Sequence, residues 1–379
     1  MNDIPRIVLT GGLSGGHTFP LIAVARALRN KFPSDLGNGV ELLFIGSEGS
    51  FENDAMKQEG IPMKSVWTGK YRRYFSLQNL IDPFKIPVGF VQALWHLWIF
   101  MPDAVFSKGG AASVPVVLAA WVYRIPILLH DSDAVAGRAN RFLSTFATRI
   151  AIAYPSAHDF FPAHKTVLTG NPIREEILLG DANRFVSTFS LSLEKPTILI
   201  FGGSQGAQAI NIALLRILPK LLEKNIQVIH QTGTKNYESI VASVEAYGIK
   251  IGVSGYVPRA FLSVLELADA LKGATLVLSR SGAGSISELA ATEKASILIP
   301  LLGAANDEQR MNAYDVAALG GALVLEEDNI GENILLENIE KLLSSPELRE
   351  SMGKKLAPFY HADATETIVS GIYEIAMNK

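Results

Sequence analysis

The chain has 379 residues, with 34 lysines and arginines against 37 aspartates and glutamates, and it has no cysteine. This length predicts two domains, each large enough to bury its own core. The net charge of −3 gives no overall positive potential that would attract nucleic acid. The lack of cysteine excludes disulfides, zinc fingers, iron–sulfur clusters and a thiol nucleophile.

The chain opens with RIVLTGGLSGGHTFPLIAVARAL, which indicates a buried strand, a glycine-rich turn and a helix. No basic segment with a long apolar run comes before it, so we expect no secretory signal and a cytoplasmic protein. Short apolar runs then alternate with helical stretches, as is typical of buried parallel strands in βα units. These runs are VELLFIG, DAVFSKGG, IPILLH and RIAIAY in the first half, and IQVIHQTG, TLVLSRSG and ASILIPL in the second.

A second strand, glycine-rich turn and helix, TILIFGGSQGAQAINIALLRIL, begins at Thr197 and repeats the opening pattern. Two such units predict an α/β protein with two Rossmann-like domains, each built on a doubly wound parallel sheet. The segment TVLTGNPIREEI interrupts regular structure between them. We place the first domain at residues 1–166 and the second at 167–359. The last segment, 360–379, is predicted to be a helix that could return to either half.

The first glycine-rich turn, residues 11–17, suits a ligand that approaches the backbone closely. It lacks the Gly-Lys-Ser/Thr of a Walker A loop, and no acidic residue ends the next strand, which disfavours a dinucleotide site. His17 follows the glycines, and an imidazole, with an ordinary pKa of about 6.5, suits general-base work on a sugar hydroxyl. The alternatives are a tight turn without a ligand and a histidine that bonds only to its own loop.

Two further turns suit phosphate and ribose. In residues 202–207, Ser204 and backbone amides precede a helix start without charge, which makes a cradle for a diphosphate. Arg174 could pair with the same phosphates. The segment SRSGAGSISE ends in Glu288, whose carboxylate could accept hydrogen bonds from ribose hydroxyls. The alternatives are a surface role for Arg174 and a helix-capping role for Glu288.

Asp131 and Asp133 follow the strand IPILLH as a D-x-D pair. Two carboxylates could hold a divalent metal, but acidic residues at the start of a helix explain the pair equally well. We therefore predict no metal and no cofactor.

Taken together, these segments resemble the MurG family of bacterial transferases, which move N-acetylglucosamine (GlcNAc) from UDP-GlcNAc to undecaprenyl-diphosphoryl-N-acetylmuramoyl-pentapeptide, called lipid I. The resemblance covers almost the whole chain and depends on the order and number of its motifs. They are GGLSGGHTFPLIAVARAL, KYRRYFSLQNLIDPFK, FSKGGAASVPVVLAAW, IPILLHDSDAVAGRANR, GNPIR, FGGSQGAQAIN, SRSGAGSISELAA and ANDEQRMNA. It implies a GT-B glycosyltransferase fold with the active site in the cleft between the domains, with helix 360–379 packed on the first domain. It also implies a peripheral protein on the cytoplasmic face of the inner membrane.

The resemblance further implies a set of substrate-binding residues: the first loop, the diphosphate contacts, the nucleotide and ribose segment, the uracil contact and the sugar contacts. It places Ser14, Gly15 and Gly16 in the first loop, Arg174 and Ser204 at the diphosphate, and Val257 at the uracil. The nucleotide and ribose segment is Ala283, Gly284, Ser285, Ile286, Ser287 and Glu288. The sugar contacts are Gln309 and Asp133. His17 is the first choice for the catalytic base, with Asp131 and Asp133 as alternatives. The sequence departs from the family pattern at Leu13, where glycine is usual, and at Asp131, where glutamate is usual.

The expected reaction is a single inverting displacement, in which the muramoyl 4-hydroxyl attacks the anomeric carbon and UDP leaves. Three other functions stay open. They are a UDP-sugar transferase with another lipid acceptor, a UDP-GlcNAc epimerase, and an inactive relative that only binds UDP-GlcNAc.

A lipid acceptor requires a surface that meets the membrane. The segment KYRRYF and the apolar residues after it mix cations with apolar side chains, which could dock on anionic headgroups or, alternatively, fill the core. The members of this predicted docking segment are residues 70–75, Leu77, Leu80, Ile81 and Phe84. The uncharged stretch 86–102 has 17 residues and is interrupted by proline and glycine, so we do not expect it to span a bilayer.

Overall fold

A computed structural model describes residues 4–12, 15–31, 39–47, 50–69, 78–202 and 206–377. Within these ranges, the side chains of residues 15, 17, 50–53, 78–84 and 305 lie outside the description. The chain divides into two compact units. The first unit comprises Met1–Ile173 and His361–Lys379, and the second comprises Arg174–Tyr360.

The first unit contains a parallel sheet with the strand order β3-β2-β1-β4-β5-β6-β7. Its strands are β1 (Arg6–Thr10), β2 (Glu41–Gly46), β3 (Met63–Ser65), β4 (Ala104–Ser107), β5 (Ile127–Asp131), β6 (Arg149–Ile152) and β7 (Thr166–Leu168). Its helices are α1 (Gly15–Lys31), α2 (Ser50–Gln58), α3 (Gln78–Phe100), α4 (Ser113–Val122), α5 (Arg138–Leu143) and α14 (Ala364–Met377). Because β7 pairs with β6, the chain stays in the first sheet beyond residue 166.

The second unit contains a parallel sheet with the strand order β10-β9-β8-β11-β12-β13. Its strands are β8 (Thr197–Phe201), β9 (Gln227–Gln231), β10 (Tyr256–Arg259), β11 (Leu276–Ser279), β12 (Ser296–Leu298) and β13 (Leu323–Val324). Its helices are α6 (Ala182–Phe189), α7 (Gln208–Glu223), α8 (Tyr237–Ala246), α9 (Val264–Gly273), α10 (Ala283–Ala291), α11 (Glu308–Ala318), α12 (Glu332–Leu343) and α13 (Pro346–Lys354).

Hydrophobic periodicity explains both cores. Every residue of β8, TILIF, is buried, as expected for a central strand covered by helices on both faces. In α7 the buried residues recur at helical spacing and pack on that sheet, among them Ile210, Leu214 and Ile217. In the first unit, α14 contributes Ile368 and Ile372 to the same buried cluster as β1 and α1.

The two sheets share one topology, which confirms the predicted pair of Rossmann-like, doubly wound parallel sheets. The direction of winding reverses between β1 and β4 in the first sheet and between β8 and β11 in the second. Open sheets of this kind bind ligands at the carboxyl ends of the strands beside that reversal. Across the described ranges, no helix has both the length and the apolar content that crossing a bilayer requires.

Candidate active site

A buried cluster of polar side chains lies at the carboxyl ends of β4 and β5 in the first unit. Lys108 directly follows β4 and is 2% exposed, and its backbone N–H donates to Thr10 O at 2.8 Å. Its Nζ donates to His130 Nδ1 at 2.7 Å and also to Ser132 Oγ. A buried ammonium group needs such acceptors because its desolvation is costly. Lys108 therefore links the ends of two neighbouring strands.

The same cluster includes the segment that follows β7. Ser132 Oγ donates to Asn171 Oδ1 at 2.7 Å, and His130 Nε2 lies 3.0 Å from Gly170 O. Because His130 Nδ1 accepts a hydrogen bond from Lys108, the proton of the neutral ring lies on Nε2 and is donated to Gly170 O. The predicted boundary motif GNPIR thus begins inside the buried network.

Asp131 is a buried acceptor for its own loop. Its Oδ1 accepts a hydrogen bond from Asp133 N at 3.1 Å, and its Oδ2 accepts from Gly137 N at 3.2 Å and from Asn140 Nδ2 at 2.8 Å. Both oxygens are engaged and the residue is 2% exposed, so its carboxylate organises the loop. Asp133 is only half-buried, and it is the member of the D-x-D pair that a ligand can reach.

Burial shifts the pKa values of this cluster. It lowers the pKa of Lys108 to about 8, although the charges of Asp131 and Asp133 oppose the shift. Burial, helped by the Lys108 charge, lowers the pKa of His130 well below 6.5. Burial and the Asp133 charge raise the pKa of Asp131 to about 6. Burial thus disfavours the charged form of all three groups, and the opposite charges of Lys108 and Asp131 counteract that effect for each other.

The first glycine-rich turn lies next to this cluster in the sheet order, after β1. Helix α1 begins at Gly15, and Gly16 is exposed in its first turn. That turn has no acidic residue, so the positive end of the helix dipole is available to an anion. Ser14 and the side chain of His17 lie outside the described residues, and so does Leu13.

In the second unit, the two residues predicted to bind diphosphate and ribose bond to each other. Arg174 Nε and Nη2 donate to Glu288 Oε1 at 3.0 and 2.6 Å. The two side chains are 17% and 10% exposed, so the pair is largely shielded from water. Glu288 thereby fixes the direction of the Arg174 guanidinium group, a contact that sequence spacing did not indicate.

The start of α10 can meet a ligand mainly through its backbone. Ile286 is fully buried, and the Ser287 hydroxyl donates to Ala283 O at 3.0 Å within the helix. Neither side chain is therefore presented to a ligand, although both were predicted in the nucleotide segment. The half-buried residues around the helix start are Gly282, Gly284 and Ser285. A Cβ built on Gly282 or Gly284 would meet no atom within 4 Å, so there is open space beside the first peptide groups.

Two more residues predicted to contact the donor belong to the second unit, Gln309 for the sugar and Val257 for the uracil. Gln309 is half-buried in the first turn of α11, and its Oε1 accepts a hydrogen bond from Leu301 N at 3.1 Å. This bond fixes the orientation of the Gln309 carboxamide. Its NH2 group can then donate a hydrogen bond to a sugar hydroxyl. Val257 is 4% exposed in β10, and only its backbone could meet a base.

The second glycine-rich turn is tied to β9. Gly206 has φ +76°, and a Cβ there would lie 2.2 Å from Thr232 O, so only glycine fits. Thr232 O also accepts a hydrogen bond from Asn211 Nδ2 at 2.9 Å, and Asn211 Oδ1 lies 2.9 Å from His230 Nε2. These contacts fix the backbone at the start of α7 against the end of β9. Ser204, the predicted diphosphate contact in this turn, lies outside the described residues.

Arg280 follows β11 as Lys108 follows β4. It is 8% exposed, and its Nη1 donates to Ile299 O and Pro300 O, each at 3.1 Å. The same atom forms an ion pair with Glu327. This cation is thus bonded to backbone carbonyls at the end of the neighbouring strand and is neutralised by a carboxylate.

An exposed apolar surface lies on α3 and at the end of α4, which pack against each other. Trp95 and Trp98 of α3 are 58% and 60% exposed, with their rings 5.4 Å apart. The other exposed apolar members are Val91, Ile99, Met101, Trp121, Val122 and Tyr123. Sequence reasoning missed this surface, because helical spacing indicates which residues share a face but not whether that face is covered. The predicted docking segment, residues 70–77, and the side chains of Leu80, Ile81 and Phe84 lie outside the description.

These features fit group transfer from an anionic leaving group. The second unit offers a cation, a helix N-terminus and a fixed amide donor, which can bind a phosphate and a sugar. The first unit offers a half-buried carboxylate on a braced loop. In the described part of the chain, no three histidine or acidic side chains lie close enough together to hold a metal ion.

Models of one protein family match both units. The glycosyltransferase family 28 N-terminal domain matches residues 7–152, and the glycosyltransferase family 28 C-terminal domain matches residues 197–368. Both glycine-rich turns and the D-x-D loop lie within these matches.

Individual relatives match from end to end. The chain is 35% identical over 370 residues to a UDP-N-acetylglucosamine--N-acetylmuramyl-(pentapeptide) pyrophosphoryl-undecaprenol N-acetylglucosamine transferase 2 of Bacillus cereus, a match that covers 97% of this chain and 99% of the relative. A transferase of the same name, without the number, from Lachnospira eligens is 38% identical over 338 residues, covering 89% and 90% of the two chains. The crystal structure of Acinetobacter baumannii MurG superimposes with a TM-score of 0.74 and 26% identity, covering 98% of this chain and 99% of that one.

Proposed function

The chain belongs to the MurG family within glycosyltransferase family 28, and we propose that it transfers GlcNAc from UDP-GlcNAc to the 4-hydroxyl of the muramoyl sugar of lipid I, giving lipid II. The observation that carries this proposal is the 35% identity over 97% of the chain to a transferase named for that reaction. A partial match would leave the acceptor unspecified, but this one includes both units.

We assign donor binding to the second unit. Arg174 pairs with the diphosphate, Ser204 and the backbone at the start of α7 complete the cradle, and Gln309 donates to the sugar. Charge on the leaving UDP develops as the glycosidic bond breaks, and a guanidinium group with helix N-termini stabilises it. Glu288 holds Arg174 in direction and accepts from the ribose. Val257 contacts the uracil through its backbone.

We assign the chemical step to the first unit. The muramoyl 4-hydroxyl attacks the anomeric carbon of the α-linked GlcNAc, UDP leaves, and a β linkage forms. The hydroxyl proton passes to a base, for which His17 is our first choice. Asp133, half-buried on its loop, lies near the transferred sugar. Asp131 supports that loop and does not itself accept the proton, because its oxygens are already engaged.

We further propose that the exposed aromatic surface on α3 and α4 docks the protein on the cytoplasmic face of the membrane, where a lipid acceptor resides. Large exposed tryptophans on one side of a soluble domain are costly in water and favourable at a lipid interface. Their exposure, 54–60% for Trp95, Trp98 and Trp121, supports this placement.

The function is tested by measuring UDP release from UDP-GlcNAc by the purified protein, with and without a lipid I analogue. We expect release only with the analogue, together with a β-linked disaccharide product. Release with a different lipid and not with this analogue would point to another acceptor. Binding of UDP-GlcNAc without turnover would show an inactive relative, and formation of a different free UDP-sugar would show an epimerase.

The membrane proposal is tested with liposomes of neutral and anionic composition. We expect Trp98→Asp to reduce co-sedimentation at least several-fold while transfer to a water-soluble acceptor analogue stays unchanged. Tyr247→Asp, at an exposed aromatic residue of the second unit, is the matched control. Equal sedimentation of both variants with the wild type would contradict the proposal.

A further inference from the structure

Lys108 has no part in the donor contacts or the proton transfer described above, yet it lies at the centre of the polar cluster in the first unit. Its ammonium group bonds to His130 and Ser132, and through them it reaches Gly170 and Asn171. A lysine that is 2% exposed is rare unless it is paired. An apolar side chain of the same length would fill the space without the cost of desolvating a charge.

The charge of Lys108 acts on two carboxylates. Asp131 and Asp133 both favour its protonated form, and in return Lys108 favours the ionised form of Asp131. The charged groups that act on Asp131 are thus Asp133, which disfavours ionisation, and Lys108, which favours it. His130 is neutral and accepts from Lys108, so it adds no charge.

We propose that Lys108 is a positioning residue for the transfer reaction: its ammonium group, bonded to His130 and Ser132, holds the loop that carries Asp133 in its reactive arrangement. This inference rests on the proposed function. Lys108 acts in two ways. It bonds to Ser132, the residue immediately before Asp133, and its charge favours the ionised form of Asp131, whose two oxygens accept hydrogen bonds from the loop.

The experiment compares Lys108→Met, which keeps length and removes charge, with Lys108→Arg, which keeps charge. Lys57→Met, at an exposed lysine of α2, is the control. We expect Lys108→Met to lower kcat at least about 30-fold, because a small misplacement of a reacting group is costly, while KM for UDP-GlcNAc stays within about twofold. Loss of the Lys108 charge should also move the acid limb of the kcat profile to higher pH, because that charge favours the ionised form of Asp131. Lys108→Arg should keep the acid limb of the wild type.

A double-mutant cycle tests the route through Ser132. We expect Ser132→Ala to lower kcat about fivefold, and the combined variant to lose less than the two single effects together, because the two residues share one hydrogen bond. Additive losses would contradict this route. If Lys108→Met does not fold, Ser132→Ala alone tests the inference. An unchanged kcat in Ser132→Ala would overturn it.

The outcomes separate the two proposals. A wild-type protein that shows no transfer to the lipid I analogue would overturn the function and the inference together. An active wild type, with Lys108→Met within threefold in kcat, would overturn the inference alone. A slow Lys108→Met with an unmoved acid limb and a lowered melting temperature would show a merely structural lysine, which also contradicts it.

Discussion

Each sheet places a buried cation after its fourth strand, and the two cations are bonded differently. Arg280 in the second unit donates to two backbone carbonyls and pairs with Glu327. Lys108 in the first unit donates to two side chains, one of them a histidine. The two sheets share their strand order, and each cation follows the fourth strand of its sheet. The two cations therefore differ in the groups to which they donate hydrogen bonds.

The partners of the two cations indicate different roles. Arg280 donates to backbone carbonyl groups, which do not titrate. The Lys108 cluster contains three groups with shifted pKa values, next to a loop with a half-buried carboxylate. We infer that Arg280 serves the stability of the second unit, and that the Lys108 cluster serves the rate.

The largest expected effect tests the stability half of this comparison. Arg280→Met leaves Glu327 and two carbonyls without their buried partner, and removing one member of such a pair costs about 3–5 kcal/mol of unfolding free energy. Denaturant unfolding of the variant measures this loss. Arg310→Met, at an arginine with a 49% exposed side chain, is the control and should cost much less unfolding free energy. Equal losses of unfolding free energy in Arg280→Met and Arg310→Met would contradict a special role of Arg280 in stability.

Asp131 tests the pH sensitivity of the first unit. Its pKa rises from 3.8 to about 6 on folding, so its contribution to stability is complete below about 3.8 and is lost as the pH rises through about 6. Asp131→Asn lacks this titration. Its unfolding free energy relative to the wild type should therefore increase between pH 4 and pH 7, by up to about 3 kcal/mol. A constant difference across that range would show that the carboxyl group titrates normally.

His17 tests whether the rate depends on the first unit. If His17 is the base, His17→Ala should lower kcat by about 100-fold or more, measured as UDP release with the lipid I analogue. His17→Asn, which keeps a polar side chain but cannot take the proton, should be equally slow. A loss below about fivefold in either variant would exclude His17 as the base.

The smallest expected effect concerns donor affinity in the second unit. Arg174→Ala removes a charge-assisted contact to the diphosphate and should raise KM for UDP-GlcNAc about tenfold. Glu288→Gln keeps the size but weakens the hold on Arg174, and it should raise KM by a smaller factor. Arg216→Ala, at an exposed arginine of α7, is the control. An unchanged KM in Arg174→Ala would place the diphosphate elsewhere.

The sequence predicted the fold well where short apolar runs alternate with helical stretches. The seven short runs correspond to β2, β4, β5, β6, β9, β11 and β12, and the two repeated openings correspond to β1 with α1 and β8 with α7. It missed strands such as β7 and β13, because two or three residues carry too little periodicity. Their pairing with a neighbouring strand defines them, and that is a tertiary property.

The site was predicted in part. The sequence singled out Arg174 and Glu288 separately, but they are 114 positions apart, and only the fold brings them into contact. It also gave Asp131 and Asp133 equal standing, although one is buried by its loop and the other is half-buried. Lys108 was passed over because a single lysine after a strand looks like a surface residue, and only its burial in the fold reveals its partners.

The most direct test of this division between the units is the transfer kinetics of Lys108→Met and Arg174→Ala, measured together with the lipid I analogue and varied UDP-GlcNAc. We predict a crossed result, in which Lys108→Met lowers kcat with KM for the donor unchanged and Arg174→Ala raises that KM with a smaller change in kcat. If both variants change the same parameter by similar factors, the separation of rate and donor affinity between the two units is wrong.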